Sequence, residues 1–86
     1  MALSERADVG RKAKQELEKA GFRARLSSEG KRSTRLWYLL TNAPFEKIWD
    51  VLRRSFEAYV RFELMPLPLI RVSDSFGDVK VHPLRN

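Results

Sequence analysis

The sequence predicts an α+β fold: one two-layer domain with its helices packed on one face of a small, mostly antiparallel sheet. Three observations lead there. The chain has 86 residues, 43% of them hydrophobic and 33% charged, which suits a single folded domain with one modest core. Two segments repeat apolar residues at helical spacing, and the stretches beside them alternate at period two. The resulting order is α-β-β-α-β, followed by one or two further short strands. The domain is expected to span 1–86, with fraying at about 1–3 and 83–86.

Residues 4–20 form the first predicted helix. Val9, Ala13, Leu17 and Ala20 make one stripe, Ser4 is placed to cap, and Gly21 is placed to stop the helix in a left-handed conformation. Gly10 weakens the segment by about 1 kcal/mol relative to Ala. A hairpin follows. Phe22, Ala24 and Leu26 alternate with Arg23, Arg25 and Ser27. Beyond the turn at 28–33, Leu36, Tyr38 and Leu40 alternate with Arg35, Trp37 and Leu39. The expectation is that Leu36, Tyr38 and Leu40 join Phe22, Ala24 and Leu26 against the helices. The other face then shows Arg23, Arg25, Arg35 and Trp37.

Asn42 and Pro44 mark the start of the second helix, Asn42 as its cap. Phe45, Ile48, Trp49, Leu52, Phe56 and Tyr59 form its apolar stripe, the strongest periodic signal in the chain. A third strand fits 59–65, and Pro66 and Pro68 assign that region to a sheet edge or an irregular crossing. A final hairpin is expected from 69–73 and 79–82.

The net charge is +6, and all of it arises between Arg11 and Arg35, where nine Lys/Arg face only Glu16, Glu18 and Glu29. Such asymmetry points to an anionic partner. The basic hairpin is the best candidate for contacting it. Arg23, Arg25, Lys31, Arg32 and Arg35 would neutralise phosphates, and Trp37 would stack on a base. An ordinary solvated sheet face is the alternative. On the first helix, i, i+4 pairing with Glu16 and Glu18 is the favoured reading of the cations, ahead of ligand binding.

These features predict a small nucleic-acid-binding protein, for DNA or RNA. The alternative is a protein-interaction module docking on a larger partner, or a homodimer, through an extended edge at Met65, Leu67 and Leu69. No nucleophile–base pair, metal set or cofactor loop stands out, so the chain reads as a non-enzyme without cofactor or metal. Gly30-Lys31-Arg32-Ser33-Thr34 fails as a phosphate loop, because Arg25 stands where the first glycine belongs and Arg32 follows the lysine. His82 has no evident partner in sequence. The chain lacks cysteine, starts without an apolar leader, and has no apolar run longer than residues 36–40. A cytoplasmic protein that does not engage membranes is therefore expected.

Leu17-Glu18-Lys19-Ala20-Gly21-Phe22 resembles the helix-to-strand junction of small RNA-directed toxins of the HicA type, which have a double-stranded-RNA-binding-like fold. That family relies on a histidine in the following hairpin and places three strands before its next helix. This hairpin has no histidine and only two strands precede the helix, so no activity is carried over.

Overall fold

The computed structural model describes residues 7–31, 34–56, 60–66, 69–75 and 77–83. The elements run α1 (Asp8–Lys19), β1 (Ala24–Glu29), β2 (Leu36–Thr41), α2 (Phe45–Ser55), β3 (Arg61–Met65), β4 (Leu69–Asp74) and β5 (Gly77–Pro83). The strands form one sheet in the order β1-β2-β5-β4-β3. Three neighbouring pairs are antiparallel, and β2 with β5 is parallel. The predicted α+β class and element order are therefore observed.

Helix α1 turns Val9, Ala13 and Leu17 into the core, as their spacing requires, whereas Ala20 is an exposed C-cap. Gly10 is buried too. A Cβ there would sit 2.7 Å from Leu26 Cδ1 and 3.5 Å from Val79 Cγ2, so the missing side chain lets α1 settle closely onto the sheet. The helix ends as predicted. The Gly21 N–H donates to Glu18 O and the Phe22 N–H to Leu17 O, with Gly21 at φ 95°. That is the paired 5→2 and 6→1 closure which needs a left-handed residue. The predicted cap Ser4 lies outside the described residues; Ala7 takes the cap position without a side-chain bond. The cations of α1 pair within the helix, as Arg11–Asp8, Lys14–Glu18 and Lys19–Glu16. The Lys19 contact also holds the Glu16 carboxyl below its ordinary range.

Helix α2 corrects the expected cap. Pro44, not Asn42, occupies that position, and its carbonyl accepts from the Lys47 and Ile48 N–H groups. Asn42 instead accepts the Arg23 N–H on its Oδ1 at 2.8 Å. Thr41, a polar residue buried within the described structure, is fully used. Its hydroxyl donates to Arg23 O at 2.6 Å and accepts from the Ala43 N–H at 3.2 Å. These bonds clamp the base of the β1–β2 hairpin. Ile48 and Leu52 are buried, while Trp49 and Phe56 meet Phe62 of β3 edge-on at 6.1 and 5.8 Å. Trp49 thus packs at the rim of the core, with Arg53 over its ring. Tyr59 lies outside the described residues.

Both helices cover the same side of the sheet. The core joins Val9, Ala13, Leu17, Ile48 and Leu52 to Leu39, Ile70, Val72, Val79 and Val81. This overturns the expected facing of β2. Leu39 is fully buried and Trp37 packs against the core, whereas Leu36 is 59% exposed. The register agrees, since Leu26 lies opposite Leu39, and Leu39 opposite Val81. Leu36, Tyr38 and Leu40 therefore point away from the helices. The reason is that residues 36–40 are apolar at every position, so alternation cannot set the phase. The two flanking strands set it instead.

The Pro-flanked segment is likewise corrected. Met65 lies opposite Leu69 in the β3–β4 antiparallel pair, so the chain turns back there and does not run on as an extended edge. Leu67 lies outside the described residues. Strand β3 is a sheet edge, as the prolines implied. At the C-terminal side, Pro83 lies opposite Thr41 in the parallel pair and is part of β5, not of a frayed end.

Gly30 closes the β1 end of the hairpin at φ 95°, and a Cβ there would lie 2.7 Å from the Thr34 backbone carbonyl. Gly30→Ala is expected to cost about 1–3 kcal/mol, from the left-handed backbone and this clash together. Chemical denaturation checks it, and an unchanged midpoint would contradict the geometry.

Candidate nucleic-acid interface

The side of the sheet opposite the helices is uncovered by any described element. Alternation along each strand decides what it shows. Arg25, Ser27 and Glu29 come from β1, and Leu36, Tyr38 and Leu40 from β2. Strand β5 contributes Asp78, Lys80 and His82, and β4 contributes Leu69, Arg71 and Ser73. Arg61, Glu63 and Met65 come from β3. The register aligns Ser27, Tyr38, Lys80, Arg71 and Glu63 in one row across all five strands.

Two aromatic rings stand near the centre of this face. Tyr38 and His82 meet edge to face, with ring centroids 6.4 Å apart and planes at 87°. No hydrogen bond joins them. They are half-buried, and with Leu36, Leu40, Leu69, Asp78 and Lys80 they line a shallow depression of about 560 Å³. His82, which had no evident partner in sequence, acquires one because the parallel β2–β5 pairing sets it beside Leu40 and next to Tyr38.

The cations on this face divide into two kinds. Arg71 is committed: its Nε donates to Asp78 Oδ2 at 2.7 Å and its Nη1 to Glu63 Oε1 at 3.4 Å. The bond to Asp78 raises its already high pKa further. Arg25 and Lys80 make no ion pair among the described residues, and both lie in the strands around the rings. Lys80 is the register partner of Tyr38, and Arg25 faces Leu40, the partner of His82.

The predicted hairpin residues are only partly brought together. Arg23 and Arg25 are exposed at the base of the hairpin and Lys31 is exposed at its tip, about 20 Å from Arg25 at strand rise. None of the three is ion-paired among the described residues. Arg32 lies outside them. Arg35 is half-buried, with its Nε shielded and unpartnered. Trp37 is on the helix side, and its indole Nε1 is buried without a partner. Tyr38 is therefore the hairpin aromatic on the uncovered face, a residue that sequence reasoning assigned to the core. No protein family, curated protein or solved structure matches this chain.

Among the described residues, no group of His, Asp and Glu side chains is placed to hold a metal ion, and no helix is long and apolar enough to cross a membrane. What the face offers chemically is an open, partly apolar surface with two rings, and with Lys80 on its central strand and Arg25 on its edge strand. Such a surface takes flat rings by stacking and phosphates by charge.

Proposed function

We propose that this chain binds single-stranded nucleic acid across the uncovered face of its sheet, and that it acts by binding, not catalysis. The observation carrying this reading is the half-buried Tyr38–His82 pair on a helix-free sheet face, with Lys80 beside Tyr38 and Arg25 across Leu40 from His82, neither cation ion-paired among the described residues. Aromatic residues on an open sheet stack unpaired bases, each stack contributing about 1–3 kcal/mol. Duplex bases are already stacked and cannot use them. Arg23 and Lys31 extend the cationic border along the hairpin, and Arg32 and Arg35 belong to the same basic segment. A cytoplasmic setting fits the cysteine-free chain.

The competing reading is a protein partner on the same face, favoured by Leu36 at 59% exposure beside Leu40 and Leu69. Salt dependence separates the two. The log–log slope of single-strand affinity against salt should fall by about 1.4 when Arg25 and Lys80 are both replaced by Ala, at about 0.7 per phosphate contact. Fluorescence anisotropy with labelled oligonucleotides reads this. An unchanged slope removes these two residues from the site, and no binding at low salt removes the nucleic-acid reading.

A further inference from the structure

The sheet has two edges, β1 and β3, and no strand among the described residues pairs with the outer side of β1. Edge strands normally carry a device against pairing with another chain: a proline, a bulge or a lysine. Strand β1 has none. Its six residues, Ala24-Arg25-Leu26-Ser27-Ser28-Glu29, pair with β2 in unbroken register.

Backbone direction follows from its neighbours. Arg23 turns its N–H and C=O toward Asn42, on the β2 side. By alternation those of Arg25, Ser27 and Glu29 also point to β2, and those of Ala24, Leu26 and Ser28 point outward with no strand to meet. A two-fold axis through Ser27 satisfies them. It sets Leu26 opposite Ser28 of a second copy, both with outward groups, and Ser27 opposite Ser27. It also sets Arg25 opposite Glu29 in both directions. Neither Arg25 nor Glu29 has an ion pair within the chain among the described residues, and both are exposed on the same face. Strand β3 fits less well: it is one residue shorter, and its Glu63 is already bonded to Arg71.

We infer that two copies of this chain join antiparallel through β1, with reciprocal Arg25–Glu29 pairs, into a continuous ten-stranded sheet. The two helix-free faces then lie side by side on one surface. The edge contact buries little, so association in the micromolar range is expected; below it the chain is a monomer and Arg25 is free to meet phosphate.

The test needs no nucleic acid, so its result is separate from the reading of the sheet face. In sedimentation equilibrium at tens of micromolar, the mass should approach twice the 10.1 kDa of one chain. Arg25→Glu should weaken association by roughly tenfold or more through like charges directly opposite, and adding Glu29→Arg should restore it. Because the chain has no cysteine, register can be read by cross-linking. Cross-strand non-hydrogen-bonded pairs hold their Cα atoms about 4.5 Å apart, within disulfide range. Ser27→Cys should oxidise to a covalent dimer. Ser28→Cys should not, because its two copies lie two residues out of step. A monomer at every concentration reached, equal cross-linking at the two positions, or no rescue by the double charge swap would each overturn the inference.

Discussion

Tyr38→Ala is expected to lower affinity for a single-stranded oligonucleotide roughly 5- to 150-fold, the loss of one base stack, and to leave the salt slope unchanged. Tyr38 is an aromatic side chain and not one of the cations, so removing it takes away a stacking surface and no phosphate contact. The same substitution should cost less stability than loss of a core side chain, since the half-buried ring lies on the uncovered face, at right angles to His82. Tyr38→Phe should keep most of the affinity, because the ring and not the hydroxyl does the stacking. Trp37→Ala gives the opposite pattern. Trp37 packs against the core from the helix side, so its loss should destabilise the fold before it touches binding. Anisotropy titrations paired with denaturant melts separate the two residues. If Trp37→Ala folds normally and loses binding while Tyr38→Ala binds as well as the parent, the assignment of faces is wrong.

Leu39→Ala is expected to cost about 2–5 kcal/mol, while Leu36→Ala should stay within about 0.5 kcal/mol. Both are leucines in one six-residue strand. Leu39 has no exposed surface and sits between Leu26 and Val81, so truncation leaves a void that close-packed neighbours cannot fill. Leu36 is 59% exposed and loses little. For a domain of this size the first figure is a large part of the total stability, and Leu39→Ala should be partly unfolded at room temperature. Urea midpoints check both values. Equal costs at the two positions would mean that β2 is turned over.

The two helices, the first hairpin and the last one were legible in the sequence because each carries a periodic stripe or a turn signal. Val9, Ala13 and Leu17 mark α1, Ile48 and Leu52 mark α2, and Gly21 ends α1 as its position required. Facing failed where the pattern was silent. Leu36, Trp37, Tyr38, Leu39 and Leu40 offer no polar residue to assign a side, and partner strands distant in sequence decided it. That one choice reversed the roles of Trp37 and Tyr38 and so moved the aromatic part of the candidate site. His82 looked isolated for a related reason: only the parallel pairing of β5 with β2 brings it to Tyr38, and short polar-flanked strands give no sign of which neighbour they will choose. Charge was legible in amount but not in availability. Arg71 looked like any other cation, yet Asp78 and Glu63 hold it.

The position of β5 has a consequence for how the chain comes together. This strand, nearest the C-terminal end of the described chain, sits at the middle of the sheet, with β2 on one flank and β4 on the other. A nascent chain that has emerged only as far as β4 holds two ribbons, β1–β2 and β3–β4, with no strand between them and both inner borders unpaired. Assembly of the sheet therefore waits for β5, and the non-local β2–β5 pairing makes that closing step slow relative to the hairpins. Until then Leu39 and Ile70 have no Val81 between them. It is in this interval that the chain is most open to mispairing with its neighbours.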